Sequence, residues 1–133
     1  MAKTARAAIK RQKSATELLT EAVIKGLQDR KAKEIRVLDL TTLQGAVADI
    51  FVVCHGDSST QVEGLARSVE EIVEKETGEI PAHLEGTKNA QWVLIDYISV
   101  VVHIFQPEQR QFYGIERLWA DADIREIESN KNT

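Results

Sequence analysis

The sequence predicts a mixed α/β fold: a single domain in which a β-sheet of about five strands is flanked by helices. Helical and strand-like hydrophobic periodicities follow one another in the order α-β-β-α-β-β-β-α, which indicates a mixed sheet with helices packed on it. The chain has 133 residues, a common length for one domain and enough to bury a core without a disulfide or a metal. Its 43% hydrophobic and 29% charged residues are ordinary for a globular protein.

The first helix and the two strands after it follow from capping and periodicity. Ser14 and Glu17 form a capping-box pattern, so a helix is predicted to begin there. Residues 32–40 alternate between two partly apolar faces, which predicts a strand. Residues 47–55 form a largely apolar run, which predicts a strand buried on both faces in the middle of the sheet.

The central helix has the most regular pattern of the chain. Ser58 and Gln61 repeat the capping pattern, and apolar residues then recur at helical spacing until Gly78, which can end a helix in the left-handed conformation. Residues 79–86 predict a short strand, and Pro81 favours an edge or an irregular start for it.

Two further strands and a last helix complete the predicted domain. Residues 90–97 and 99–105 are both strand-like, and the tight turn at Ile98–Ser99 requires them to be antiparallel. Pro107 suits the first turn of a helix, which continues at helical spacing to Ala122 unless the glycine within it interrupts the helix.

Charge divides the chain into a basic arm and an acidic body. Residues 1–36 hold ten Lys or Arg against four Asp or Glu, whereas residues 37–133 hold seven against seventeen. We therefore predict a basic disordered arm at 1–13, a domain at 14–125 and a polar tail at 126–133. An acidic body disfavours a nucleic-acid groove and favours a basic protein partner.

Localisation is predicted from what the chain contains. No segment approaches the roughly 20 apolar residues that span a bilayer, so we expect no membrane partner. Cys54, the single cysteine, lies in an apolar run, which indicates a buried thiol and a reducing cytoplasm. Residues 1–16 lack acidic side chains, as organellar transit peptides do, so an organellar location is the alternative.

The residues that could perform chemistry do not form a catalytic or metal site. Cys54 and His55 are neighbours on a strand, so they point to opposite faces. The turn His55–Ser59 precedes a helix, as anion-binding turns do, but lacks the lysine of a P-loop. Asp121–Asp123 is predicted on the last helix, where residues two apart do not share a face. We expect no enzyme activity, cofactor or metal; a nucleotide-binding protein that uses the His55–Ser59 turn is the alternative.

Five motifs carry a resemblance to a known family. They are ADIFVVCHGDSSTQV, HLEG, WVLIDY, VVVHIF and RQFYGIERLW, in this order. With this combination the chain resembles the ribosomal silencing factor family, also called Iojap-related, over roughly residues 14–122. The resemblance implies a nucleotidyltransferase-like mixed sheet flanked by helices, in proteins that are not known as enzymes.

The resemblance also implies a function and partners. It implies a translation repressor that binds the large ribosomal subunit at its intersubunit face, against large-subunit protein fourteen, and sterically blocks joining of the small subunit. An acidic body suits a basic ribosomal protein. Neighbouring rRNA could be touched by the basic arm, and a homodimer through an apolar sheet edge is left open.

Eight residues are predicted to contact the partner, and several have a structural alternative. Trp92 ranks first because Trp is frequent in binding hot spots, although a core position is equally compatible with the sequence. Trp119 fits the core better, and His103 fits a hydrogen-bonded structural role better than a contact. The eight residues are Trp92, Asp96, Tyr97, His103, Arg110, Tyr113, Glu116 and Trp119.

The acidic residues and the tyrosine have alternatives of their own. Asp96 either accepts hydrogen bonds from a turn or pairs with a cation of the partner. Tyr97 is expected to be partly buried, with its hydroxyl reaching solvent or the partner. Glu116 binds a basic partner or pairs with Arg110 or Arg117, and an exposed pair of that kind contributes little to stability.

The turn at Ile98–Ser99 departs from the family pattern. Members typically carry Gly-Asp at these two positions, so this chain lacks both a turn-favouring glycine and a carboxylate. If the acid contacts the ribosome, one contact is lost; if it only shapes the turn, the effect is local.

Overall fold

The computed structural model describes residues 13–128 of the chain. The predicted basic arm, apart from Lys13, and residues 129–133 of the predicted tail lie outside the described residues. The described part forms four helices and six strands: α1 (Ala15–Asp29), β1 (Lys33–Asp39), β2 (Ile50–His55), α2 (Ser59–Thr77), β3 (His83–Glu85), β4 (Trp92–Asp96), β5 (Val100–Phe105), α3 (Pro107–Tyr113), α4 (Ile115–Leu118) and β6 (Asp123–Ile127).

The strands form one mixed sheet in the order β3-β4-β5-β2-β1-β6. β2 and β5 are parallel, and the other neighbouring strands are antiparallel. The predicted α/β class with a mixed sheet flanked by helices is confirmed. β2 is central and almost entirely buried, as its apolar run predicts.

β6 is a sixth strand that the sequence pattern did not predict. It pairs antiparallel with β1, and the predicted domain boundary at residue 125 falls inside it. Helical spacing predicts a last helix to Ala122, but Gly114 adopts the left-handed conformation (φ 57°) and splits that helix into α3 and α4, which ends at Leu118. The placement of Asp121–Asp123 on a helix is therefore wrong; the pair lies in a turn and at the start of β6.

Both long helices begin where their capping residues predict, and the second also ends at its predicted cap. The Ser14 hydroxyl accepts from the Glu17 amide at 3.1 Å, and the Ser58 hydroxyl accepts from the Gln61 amide at 3.1 Å. Gly78 ends α2 in the left-handed conformation (φ 79°).

α1 and α2 cross closely on one side of the sheet. At the crossing, the Ser68 hydroxyl donates to the Gly26 carbonyl at 2.8 Å. A Cβ at Gly26 would lie 2.9 Å from Val69 Cα, closer than real Cβ atoms approach, so only glycine allows this distance. Together the helices bury one face of the sheet and form the larger apolar core.

The two edge strands of the sheet are short and mostly polar. β3 has three residues, all exposed. β6 has five, and Asp123, Arg125 and Glu126 are among them. In the described residues, neither edge strand forms the apolar sheet edge that was considered for a homodimer.

The turn between β4 and β5 holds a β-branched residue in an unfavourable conformation. Ile98 has φ 75°, a region that β-branched side chains rarely adopt. Its amide donates to Asp96 Oδ1 at 2.7 Å, and the Ser99 carbonyl accepts from the amides of Asp49 and Ile50, both at 3.0 Å. These bonds fix the turn to the start of β2, so Ile98 cannot relax without breaking them.

Candidate partner-binding face

The side of the sheet that α1 and α2 leave uncovered carries a cluster of aromatic rings. Strand alternation sends four rings to this side, and α3 and α4 bring two more. These six residues, called here the aromatic face, are Phe51, Trp92, His103, Phe105, Tyr113 and Trp119.

Trp92 joins the strand and helix parts of this cluster. Its ring stacks on Phe105 with centroids 4.9 Å apart and lies 4.6 Å from the ring of Tyr113. The side chain is half-buried, so one part packs on the sheet and another remains accessible. The half-buried position confirms that Trp92 packs on the sheet, and its contact with a partner stays a prediction.

His103 is a neutral, buried ring at the centre of the aromatic face. Its Nδ1 accepts a hydrogen bond from Trp92 Nε1 at 3.2 Å, and its ring packs edge-on against Phe51 at 4.7 Å. Burial lowers the pKa of His103 to about 4. The predicted structural hydrogen bond is present, and it leaves the second ring nitrogen, Nε2, without a partner in the described residues.

Exposed apolar side chains continue the aromatic face onto α3 and α4. Phe112 is 78% exposed, Leu118 is 76% exposed, and Tyr113 is 50% exposed. The rings of Phe112 and Tyr113 touch, with centroids 5.0 Å apart, and exposed apolar clusters mark interaction sites more often than isolated residues do.

Arg110 and Glu116 anchor the helical segment to the sheet. Arg110 is buried and donates from Nε and Nη2 to the two carboxylate oxygens of Glu116, at 2.9 and 3.0 Å. Arg36 of β1 donates to the same carboxylate at 2.6 Å, and Arg110 Nη1 lies 2.9 Å from His55 Nδ1. These contacts fit a positioning role for Arg110 and Glu116 better than direct contact with a partner.

The protonation states in this cluster follow from its geometry. Burial alone would raise the pKa of Glu116, but hydrogen bonds from Arg110 and Arg36 outweigh it and lower that pKa. Burial, together with the charge of Arg110, lowers the pKa of His55. Glu116 is therefore ionised and His55 neutral near pH 7.

Asp96 and Tyr97 lie on opposite sides of the sheet. Asp96 is half-buried on the side of the aromatic face, and its Oδ1 accepts from the turn, as one alternative predicts. Tyr97 is 4% exposed and belongs to the core beneath α1 and α2. The expectation that its hydroxyl reaches solvent is wrong, because strand alternation turns Tyr97 toward the helices and leaves the oxygen buried without a partner.

The structure thus brings together five of the eight predicted residues on one side: Trp92, Asp96, His103, Tyr113 and Trp119. Arg110 and Glu116 support that side from one end, and Tyr97 faces away. Sequence reasoning missed Phe51, Phe105, Phe112 and Leu118. Alternation along residues 99–105 puts Phe105 on the same side of its strand as His103, and alternation along 47–55 gives the side of Phe51 within its own strand. Unbroken apolar runs do not reveal which side of the sheet the long helices leave uncovered.

Cys54 and the His55–Ser59 turn, considered above for catalysis and nucleotide binding, make structural contacts. Cys54 is fully buried, and burial raises the pKa of its thiol to about 12. At the His55–Ser59 turn, Gln61 Oε1 accepts from the Asp57 amide at 2.8 Å, and the Asp57 carboxylate pairs with Lys33. Asp57 thus puts a negative charge at the helix N-terminus, where a phosphate would have to bind.

Residues 13–128 contain no group of three or more His, Cys, Asp or Glu side chains arranged to hold a metal ion. None of the helices in this part of the chain combines the length and apolar character that crossing a bilayer requires.

Fold and site together define the class: a single-domain mixed α/β protein with two long helices on one side of its sheet and, on the other, an aromatic face partly covered by α3 and α4. A family model described as ribosomal silencing factor during starvation matches residues 12–133. The chain belongs to the ribosomal silencing factor family, a family of ribosome-related regulatory factors.

Individual relatives agree with this assignment. The chain is 38% identical to the ribosomal silencing factor of Bacillus subtilis over 104 residues, 78% of this chain and 86% of the relative. It is 36% identical to that of Halalkalibacterium halodurans over 110 residues, 83% and 92% of the two chains. Chloroplastic Iojap of Zea mays is 32% identical over 106 residues, which cover 80% of this chain and 45% of that protein.

Solved structures give the same fold. A crystal structure of a Chromobacterium violaceum protein superposes with a TM-score of 0.72 at 34% identity, covering 86% of this chain and 93% of that one. A crystal structure of a Bacillus halodurans protein gives a TM-score of 0.68 at 34% identity, covering 83% and 96%.

Proposed function

We propose that the protein represses translation by binding the large ribosomal subunit on its intersubunit face, against large-subunit protein fourteen. Bound there, it blocks the small subunit from joining. The observation that carries this proposal is the aromatic face, in which Trp92 contacts the exposed ring of Tyr113, with Phe112 and Leu118 also exposed on the same helical segment. Family membership gives the ribosome-related setting for this face.

The chemistry of the face suits a partner that is apolar at its centre and basic at its rim. Trp92 offers a large area that can be desolvated, which is typical of residues that dominate binding energy. Asp96 adds a carboxylate on the same side of the sheet at the other end of β4, and the body of the chain is acidic. Complementary potentials would speed association with a basic ribosomal protein.

Steric blocking requires binding and no bond-making step. Within the described residues, His103 spends one ring nitrogen on Trp92, and the carboxylates of Asp96 and Glu116 accept hydrogen bonds from the protein itself. These side chains therefore support a surface and not a catalytic centre.

The cell compartment and the additional contacts are part of the same proposal. We place the protein in the cytoplasm, with an organelle as the alternative, since the relatives include a chloroplastic protein. Contact of the basic arm with neighbouring rRNA, and a homodimer, remain proposals, and the arm lies outside the described residues apart from Lys13.

Sedimentation of ribosomal subunits tests the proposal. Purified large and small subunits are mixed with the protein in stoichiometric excess, and we expect fewer joined ribosomes and co-sedimentation of the protein with the large subunit at moderate salt. Undiminished subunit joining would overturn the proposal.

A matched pair of double variants locates the binding surface. Replacing Phe112 and Leu118 by Ala removes two exposed side chains beside the aromatic face, and replacing Leu18 and Ile80 by Ala removes two exposed side chains elsewhere. We expect the first double variant to lose most of its co-sedimentation and the second to bind as the unaltered chain does. Equal binding by both would remove the exposed helical side chains beside the aromatic face from the proposed binding surface.

A further inference from the structure

Two buried side-chain polar atoms have no hydrogen-bond partner in the described part of the chain: the hydroxyl of Tyr97 and Nε2 of His103. Each belongs to a side chain that is 4% exposed, and they lie on opposite sides of the sheet. Leaving a buried polar group unpaired is unfavourable, so each such atom calls for an explanation. Tyr97 faces α1 and α2, whereas His103 belongs to the aromatic face on the other side of the sheet.

The tautomer of His103 follows from its bond to Trp92. An indole Nε1 can only donate, so Nδ1 of His103 must be the acceptor in the 3.2 Å bond between them. A neutral imidazole then carries its proton on Nε2. The low pKa of His103 keeps the ring in this neutral form throughout the physiological pH range. The unpaired atom is therefore a donor, N–H.

This donor lies on the side of the sheet that α1 and α2 leave uncovered. Side chains on strands stand roughly perpendicular to the sheet, and Nε2 is farther from the ring's attachment point than Nδ1. His103 lies in β5, opposite Leu94 of β4, on the side where the aromatic face and the short helices α3 and α4 lie. Trp92 has already used its own donor, and Asp96 offers oxygens only, so among these three polar side chains His103 alone has a free donor.

We propose that Nε2–H of His103 donates a hydrogen bond to an oxygen acceptor, a backbone carbonyl or a carboxylate, that the bound partner inserts into the aromatic face. This inference rests on the proposed function and specifies the chemistry that the partner presents there. The atom has almost no accessible surface in the free protein, so a side chain of the rim rotates as the acceptor enters. Such rotamer changes are common at interfaces.

A pair of matched variants tests the donor. His103→Phe and Tyr97→Phe each remove one unpaired buried polar atom and keep an aromatic ring, one on each side of the sheet. His103→Phe also removes the acceptor of Trp92, so a loss of binding counts for the inference only together with a change in the Nε2–H resonance of the unaltered chain. We expect His103→Phe to weaken binding to purified large ribosomal subunits roughly tenfold, the usual effect of losing one buried hydrogen bond, and Tyr97→Phe to leave binding unchanged. Circular dichroism and urea unfolding check that both variants fold.

A spectroscopic measurement on the unaltered chain separates contact from a structural role. In protein labelled with ¹⁵N at histidine, addition of isolated large-subunit protein fourteen should shift the Nε2–H resonance downfield and slow its exchange with water. A carboxylate acceptor would also raise the pKa of His103 well above its free value of about 4, whereas a carbonyl would change it far less.

The outcomes separate this inference from the proposed function. If the unaltered chain binds but the Nε2–H resonance does not change, the inference is overturned and the proposed function stands, even if His103→Phe binds weakly. If His103→Phe binds as tightly as the unaltered chain, the inference is also overturned. If the unaltered chain binds neither the large subunit nor protein fourteen, both fail.

Discussion

Replacing Ile98 by glycine should stabilise the protein, although it removes a large side chain. Ile98 has φ 75° in the turn between β4 and β5. The Ile98 amide donates to the Asp96 carboxylate and the Ser99 carbonyl accepts from two amides, which holds the turn in that form. An L-residue in the left-handed region is unfavourable by about 1–2 kcal/mol, and a β-branched residue lies at the upper end. Glycine adopts the same conformation without that cost.

Two smaller effects oppose the gain. Glycine makes the unfolded chain more flexible, which destabilises the folded state by about 0.4–1 kcal/mol. Ile98 is 66% exposed, so only the remaining third of its side chain loses packing, an effect of about 0.5 kcal/mol. The expected net change is a gain of up to about 1 kcal/mol, which corresponds to roughly 3–5 °C in Tm.

Ser99→Gly is the matched control, because it introduces the same residue one position later. Ser99 has no positive φ, so glycine there adds unfolded-state flexibility and relieves no strain. Urea unfolding followed by Trp fluorescence gives both free energies, with unchanged m-values as the check on two-state behaviour. We expect Ile98→Gly to be more stable than Ser99→Gly by about 1–2 kcal/mol. If Ile98→Gly is no more stable than Ser99→Gly, backbone strain at Ile98 is refuted.

Three further predictions follow from the packing and the buried charges. Gly26→Ala should cost about 1–3 kcal/mol in urea unfolding, because its Cβ would meet the backbone of Val69 at 2.9 Å and force α1 from α2; a near-neutral effect would contradict the close crossing. Glu116→Gln should destabilise the protein at pH 7, because it leaves Arg110 buried without a counter-charge. The native pKa of Glu116 is lowered, so its contribution is present above the unfolded pKa and is lost as pH falls through the native pKa. The stability of the variant should thus depend less on pH in the acid range, and an unchanged acid limb would contradict this. The pKa of His103 is lowered from 6.5 to about 4 in the folded protein, so the unfolded chain binds a proton more readily between these values. The free energy of unfolding should therefore decrease by roughly 3 kcal/mol in all as the pH is lowered from 6.5 to 4. His103→Phe should remove that slope, and an equally steep curve would contradict the assignment.

Most of the fold could be predicted because local signals and global packing agree. Ser14, Ser58 and Gly78 mark helix ends through hydrogen bonds and a left-handed cap that depend on a few neighbouring residues. The tight turn at Ile98–Ser99 fixes an antiparallel pair without any long-range information. β6 could not be predicted in this way, because its few residues are mostly polar and it is stabilised by pairing with β1, far away in sequence.

The site was only partly predictable because exposure depends on what covers each side of the sheet. Period-two alternation puts Asp96 and Tyr97 on opposite sides, but the pattern of β4 does not reveal which side receives α1 and α2. Arg110 is a charged residue shortly after β5, and charged residues are usually exposed, so its sequence position suggests a contact with a partner. Its burial against Glu116 and His55 emerges only when α3 folds back on the sheet.

The edges of the sheet affect how safely the protein can expose apolar surface. An open strand edge is a template for adding strands from other molecules, and long apolar edges lead to aggregation. Here β3 is three residues long, and β6 carries Asp123, Arg125 and Glu126, so both ends of the sheet discourage edge-to-edge growth. The protein can therefore expose apolar side chains on one face of the sheet with little risk of aggregation. Binding to a face requires a partner of complementary shape, whereas an open edge can pair with any strand.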